Sequence, residues 1–245
     1  MIDNIAAYHF TLIDDADALV TRLRALAEVG DLKGTVLVAG EGINLFLAGD
    51  GMAIDAFIAA LRDDARFRDI VVKRSRSHGV PFARLKVRRK REIIAFRHDD
   101  TAPLARRAPA ITPERLARWI ERGCDDDGRR LVLLDTRNRE EVEHGTFVAA
   151  MTLPITRFGD FPAAVERERE ALAGAAVVSF CTGGIRCEKA ALWMQDNGFD
   201  HVWQLEGGIL GYFERVGGHG YAGRCFVFDG RVALDSDLVP LVDVA

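Results

Sequence analysis

Four cysteines in 245 residues, at positions 124, 181, 187 and 225, are too few and too irregularly spaced for a disulfide framework or a paired Cys-x-x-Cys zinc set. They read as free thiols of a reducing compartment, with nucleophilic or redox chemistry open to them, and no metal site is expected. No apolar run approaches the roughly 18 residues of a membrane span. The opening MIDNIAAYHF lacks the basic start and long apolar run of a signal peptide, so the chain reads as cytoplasmic and not membrane-bound. Isolated Gly-Glu-Gly and Gly-Gly pieces do not make a dinucleotide fingerprint. No flavin, haem or iron signature and no internal repeat is present, so no cofactor is evident.

What is present is a chain that is 49% hydrophobic, long enough for two compact units, with a net charge of -4 that conceals an asymmetry. Between Arg66 and Arg91 stand eleven Lys and Arg residues against one acid, Asp69. Arg84, Lys86 and Arg88 alternate along a predicted strand and so share a face, while Lys73, Arg74 and Arg76 lie on the segment before it. Such a basic strip in an otherwise acidic chain suits a phosphate backbone, although charge runs are more often simply solvated. Phe82 and Phe96 flank it and His78 lies in its loop; such aromatics can stack an unpaired base but are more often core.

Apolar periodicity predicts a strand over 6–13, a helix over 14–30 with an Asp cap and Leu19, Leu23 and Leu26 inward, two strands within 34–49, a helix over 52–64 and a strand from 69. This order is that of a ferredoxin-like unit. ARLKVRR and EIIAFR predict a further hairpin on the same sheet. The Ala-, Pro- and Arg-rich stretch HDDTAPLARRAPAITP marks a boundary. Beyond it, TPERLARWIERG predicts a helix capped by Thr112, and the continuous apolar runs RLVLLD and AAVVSF predict strands of a parallel sheet buried on both faces. The fold class is thus α/β with an α+β amino-terminal unit. Boundaries are placed at 1–97, a linker over 98–111, a second domain over 112–218 and a tail over 219–245.

Cys181 directly follows AAVVSF, at the carboxyl end of a parallel strand where chemistry concentrates in such sheets. Thr182, Gly183, Gly184, Ile185 and Arg186 then form a loop leading into a helix. The glycine pair permits a tight turn with several N–H groups aimed inward, and the helix start adds partial positive charge. A thiolate at Cys181 is therefore stabilised, and it is expected to be both ionised and reachable at neutral pH. Phosphatases use a related cradle with a cysteine, five residues and an arginine. Here Arg186 comes one position earlier, which suits an adduct smaller than phosphate, such as a persulfide.

LLDTRNREEVEHGTFVAAMTLP, FCTGGIRCEKA and VWQLEGGI, in that order, resemble the markers of a rhodanese domain. With KGTVLVAGEGIN, FARLKVRRKREII and CFVFDGRVAL, the resemblance extends over nearly the whole chain to the rhodanese-like tRNA uridine hydroxylases. It implies an acylphosphatase-like (ferredoxin-like) domain followed by a doubly wound rhodanese domain. It further implies oxidation of the wobble uridine, position 34, to 5-hydroxyuridine, with molecular oxygen as co-substrate and the anticodon loop of tRNA as partner. The catalytic residue would be Cys181, as thiolate or persulfide, on the loop Thr182–Arg186.

Alternatives stand beside this reading. The loop alone predicts sulfur transfer from thiosulfate or a persulfide, and a non-catalytic RNA-binding module is a third class. Arg186 reads equally as a phosphate holder and as the partner of a nearby acid. Asp135 and Arg137 read as support for the loop. Cys187 reads as a packed residue, a resolving thiol or a second reactive centre, and Cys225 as a bystander that could line the site. Lys73, Arg74, Arg76, Arg84, Lys86 and Arg88 are the candidate RNA contacts. Oligomeric state is not legible.

Overall fold

Leu19, Leu23 and Ala27 recur four residues apart, and Ile54, Phe57, Ile58 and Leu61 follow the same period, so each segment coils into a helix with one apolar stripe. Those stripes close one side of an amino-terminal sheet. The computed structural model describes residues 1–98 and 103–242, in two units. The first comprises Met1–Ala95 with Phe228–Val232 and the segment from Val239 onward.

In this unit β1 (Ile2–Phe10), α1 (Ala16–Val29), β2 (Lys33–Ala39), β3 (Gly42–Gly49), α2 (Gly51–Arg62) and β4 (Val72–Ser77) give the sheet order β4-β1-β3-β2, all pairs antiparallel. The ferredoxin-like order expected from the sequence is present. β5 (Leu85–Arg89) adds to the β2 edge, parallel to it. The predicted hairpin does not form, because residues 92–97 make no strand. Instead the chain crosses back over the sheet, where Ile93 N–H donates to Glu41 and the Asn44 amide donates to Ile93 C=O. Asp15 occupies the N-cap of α1 without capping it, since its carboxylate is engaged by Arg66.

The second unit comprises Phe96–Val227 and Ala233–Leu238. Its elements are β6 (Ala110–Ile111), α3 (Pro113–Arg122), β7 (Leu131–Asp135), α4 (Arg139–Val142), β8 (Gly145–Phe147), β9 (Met151–Thr152), α5 (Phe161–Arg167), α6 (Arg169–Leu172), β10 (Ala176–Phe180), α7 (Ile185–Asp196), β11 (Val202–Leu205) and α8 (Gly208–Val216), then β12 (Tyr221–Gly223), β13 (Cys225–Phe226) and β14 (Ala233–Leu234). The main sheet runs β6-β11-β10-β7-β9, parallel throughout. Thr112 caps α3 by accepting from Arg115 N–H, with Pro113 in the first turn.

β10 is buried along its whole length. Ala176, Val178 and Phe180 pack into a cluster with α3 and α8, while α5 and α7 pack against each other outside that cluster. Helices on both faces explain why β7 and β10 read as unbroken apolar runs. Two expectations shift. The segment placed in a linker ends in β6, which pairs with β11; residues 99–102 of that linker lie outside the described ones. The tail is not one piece: β12 pairs with β8 and β13 with β14 in this unit, whereas Phe228–Val232 belongs to the first. Strands of two or three residues are too short to show a period.

Candidate active site

Cys181 leaves β10 at its carboxyl end, in the middle of the parallel sheet, and the chain turns at once into α7. Gly184, at the N-cap of that helix, has φ 104, a conformation that residues with a Cβ rarely adopt. The helix begins at Ile185, two residues earlier than the sequence pattern suggests, so Arg186 and Cys187 lie in its first turn. Their backbone N–H groups consequently point back at the Cys181 sulfur. Gly184 N–H donates to the same Sγ at 3.1 Å.

Burial alone would raise the Cys181 thiol, but it is outweighed by the Cys187 S–H, the Arg186 charge and the N–H groups of Cys187 and Arg186, which bring it down to about 5. Cys187 moves the other way. Burial and the adjacent Cys181 sulfur hold it well above the usual thiol range, so it stays protonated and donates to its neighbour. Cys187 is fully buried and its sulfur faces that of Cys181.

Arg186 is buried and forms a two-pronged pair with Glu141, at 2.6 and 2.7 Å. The pairing reading therefore prevails over the phosphate-holding one. Burial by itself would raise the Glu141 carboxyl, and the Arg186 charge and hydrogen bonds lower it below the usual range. Glu141 is set by α4, where its other role is to accept from Asn138 N–H at the helix start. The Thr182 hydroxyl lies 3.4 Å from Glu141 and 3.3 Å from the Phe226 carbonyl. Glu141 was not among the residues singled out in the sequence. Its signal there is the Asn-x-x-Glu spacing directly after the β7 terminus.

Asp135 and Arg137 are fully buried at the end of β7. Arg137 donates to both Asp135 oxygens, at 2.9 and 2.6 Å, and to Gly145 C=O at 2.7 Å; Thr146 donates to Asp135 at 2.7 Å. This pair ties β7 to β8, and the Tyr221 hydroxyl joins it through Gly145 C=O. Cys225 is buried, its thiol pushed up to about 12 by desolvation, and it hydrogen-bonds Thr182. It packs against the loop as a neutral thiol. Cys124 is remote from this cluster, on an isolated bridge to Arg130.

One expectation fails. Cys181 is ionised but not exposed, with 0% of its surface accessible. The loop is drawn onto the start of α8, whose Ile209 and Leu210 N–H groups donate to the Cys181 and Thr182 carbonyls. Gly208 makes this approach possible. A Cβ there would stand 2.5 Å from Cys181 O and 2.7 Å from Gly184 N.

The basic residues of the first unit do not form one strip. Lys73, Arg74 and Arg76 sit on β4 and Lys86 and Arg88 on β5, at opposite edges of a five-stranded sheet. Four strand spacings put about 19 Å between those edges. Lys73 is buried, and Arg74 and Arg76 are engaged by Asp3 and Asp55. Arg84 and Arg88 are exposed and Lys86 partly so. The alternation that makes these three share a side is correct, but a one-dimensional pattern does not reveal that β4 and β5 lie at opposite ends of the sheet.

Among the described residues no group of His, Cys, Asp and Glu is arranged to hold a metal ion, and no helix is long and apolar enough to cross a membrane. Residues 2–93 match the UPF0176 acylphosphatase like domain and residues 112–215 the Rhodanese-like domain. A protein of Xanthomonas euvesicatoria named tRNA uridine(34) hydroxylase is 63% identical over 99% of this chain and 98% of its own. One of the same name from Xylella fastidiosa is 59% identical over 100% of this chain and 95% of its own. With both domains present in order and full-length relatives at this identity, the chain belongs to the family of the tRNA uridine(34) hydroxylases.

Proposed function

We propose that this protein hydroxylates uridine 34 of tRNA, giving 5-hydroxyuridine, with Cys181 as its catalytic residue. The observation that carries the reading is the Cys181 sulfur, held as a thiolate at the carboxyl end of β10 by three N–H groups and a buried Arg–Glu pair, in a chain 63% identical to a named tRNA uridine(34) hydroxylase. A thiolate adds to C6 of a uracil ring, which makes C5 electron-rich and open to an oxidant; once C5 carries the hydroxyl, loss of the C5 proton expels the thiolate from C6 and restores the ring double bond. With molecular oxygen as co-substrate, one oxygen atom goes to C5 and the other leaves as water, consuming two electrons and two protons from a reductant.

Because Cys181 is buried, a direct attack on the ring requires the loop to lift from α8. A persulfide would instead place its terminal sulfur about 2 Å further out than the thiolate. Both forms use the same cradle: Arg186, paired with Glu141, sets the charge beside the sulfur, and the Cys187 S–H donates a hydrogen bond to it. The tRNA would be held through its phosphates by Arg84, Lys86 and Arg88, with the anticodon loop presented to the second unit, in the cytoplasm.

Sulfur transfer is the second reading, favoured by the rhodanese-like domain match and by a cradle that stabilises a sulfur anion. Nucleoside mass spectrometry of tRNA separates the two. Cells lacking the protein are expected to lack 5-hydroxyuridine at position 34, wild-type protein to restore it, and Cys181→Ser to leave it absent. Full restoration by the Ser variant would overturn the role of Cys181. Brisk thiosulfate-to-cyanide turnover with unchanged tRNA would favour sulfur transfer.

A further inference from the structure

Two cysteines six positions apart along a chain are ordinarily distant, by about 20 Å in a strand and about 9 Å in a helix. Cys181 and Cys187 meet because the turn between β10 and α7 doubles the chain back, with Gly184 in its positive-φ conformation at the N-cap. Cys187 then donates to the Cys181 sulfur twice, from its S–H and from its backbone N–H. Main chain and side chain of the one residue thus lie against a single atom of the other, and both residues have 0% of their surface accessible.

A buried cysteine is most often small apolar filler. Cys187 is placed differently from the other thiols: Cys225 hydrogen-bonds Thr182 and Cys124 sits on its bridge to Arg130, whereas Cys187 meets another sulfur. The two sulfurs are also in unlike states, Cys181 carrying the negative charge and Cys187 keeping its proton. Burial, the hydrogen bond to Cys181 and the Cys181 charge hold that proton on, and the Arg186 charge opposes them. Oxidation of Cys181 removes its charge. The Arg186 charge then acts on Cys187 without that opposition, which favours the Cys187 thiolate at the moment an attacking sulfur is needed.

We propose that Cys187 is the resolving thiol of Cys181, and that a peroxide converts the pair into a Cys181–Cys187 disulfide. In the first step the Cys181 thiolate attacks the peroxide: an S–O bond forms, the O–O bond breaks, the sulfur gives up two electrons, and hydroxide or alkoxide leaves. In the second, the Cys187 sulfur attacks the sulfenic acid: the S–S bond forms, the S–O bond breaks, and the Cys187 proton departs with the hydroxyl as water. The sulfurs, already in hydrogen-bond contact, close to about 2 Å. Entry uses the same lifting of the loop from α8 that direct attack on a uracil ring requires, and a peroxide is the smaller guest. The bond withdraws the thiolate reversibly and spares it from sulfinic acid, from which a dithiol does not recover it. Its effect on activity rests on the catalytic role of Cys181 proposed above, whereas its formation does not.

The test treats the full-length chain with hydrogen peroxide, blocks remaining thiols and maps tryptic peptides without reduction. Trypsin cuts after Arg186, so Cys181 and Cys187 fall on separate peptides unless a disulfide joins them. Wild type is expected to yield that joined pair, lost on dithiothreitol. Cys187→Ser should instead carry sulfenic and then sulfinic acid on Cys181, and Cys187→Ala serves should the serine variant fail to fold. In tRNA hydroxylation, each protein compared with its own untreated rate, peroxide-treated wild type should recover nearly fully with dithiothreitol, while the Cys187 variant should stay inactive. Sulfinic acid on wild-type Cys181 without the joined pair, a bond from Cys181 to Cys225 or Cys124 instead, or a Cys181 that peroxide leaves unmodified overturns the inference. A joined pair in a protein that still hydroxylates tRNA at its untreated rate upholds the bond and brings down the catalytic role of Cys181.

Discussion

The two units place charge in opposite ways. Three of the four pairings in the amino-terminal sheet, β4-β1-β3-β2, are antiparallel, and its cations at the β5 edge, Arg84, Lys86 and Arg88, stand in or near solvent. The carboxy-terminal sheet is parallel and covered on both sides, and the charges beside Cys181, Asp135–Arg137 and Glu141–Arg186, are buried as ion pairs. Exposed charge attracts a polyanion over a distance and costs little to maintain. Buried charge costs several kcal/mol of desolvation and persists only when each partner is satisfied, but in return it acts on a neighbouring group with little screening. One unit leaves cations at its surface, and the other uses buried charge to perturb a single sulfur.

The largest effect should come from breaking a buried pair. Glu141→Ala leaves the Arg186 guanidinium buried and uncompensated, and is expected to cost about 3–5 kcal/mol of stability, read by urea denaturation. The double variant Glu141→Leu, Arg186→Met should recover most of that loss while the Cys181 thiol rises towards the ordinary range. A Glu141→Ala protein as stable as wild type would show the pair to be dispensable.

Smaller and different in kind is the effect of reversing surface charge. Arg84→Glu, Lys86→Glu and Arg88→Glu together should weaken tRNA binding and flatten its salt dependence by about 0.7 to 0.9 in logarithmic slope for each phosphate no longer neutralised. Folding stability should be nearly unchanged. Arg74→Glu with Arg76→Glu should do less to binding, because those two are already engaged by Asp3 and Asp55. Equal effects of the two sets in salt-dependent gel-shift titrations would contradict the division of the basic residues between two edges.

Much of this was legible in the chain itself, where the physics is local. The helix stripes at Leu19 and Leu23, the Thr112 cap and the apolar runs of β7 and β10 depend on neighbours within a few residues. So does the Cys181 turn, with glycine at 184 and a helix start behind it. Three features are set by distant partners and were not legible. Glu141 meets Arg186 across 45 positions, and nothing near either residue announces the other. β5 pairs parallel to β2 rather than folding into a hairpin, which depends on where the chain goes after Arg91. The burial of Cys181 follows from α8 docking on the loop, an approach made possible by Gly208 and so by the absence of a side chain.

The claim on which the account depends most is that Cys181 is a thiolate at neutral pH although it is buried. Thiolate absorbance near 240 nm reports ionisation without requiring any reagent to reach the sulfur, and the difference between wild type and Cys181→Ser isolates this one group. A lowered pKa means that the charged form persists at pH 7 and is lost only on acidification. The difference signal should therefore be present at neutrality and disappear as pH falls through about 5. A signal that is absent at pH 7 and emerges only above about 8.5, the range of an ordinary cysteine, would contradict it.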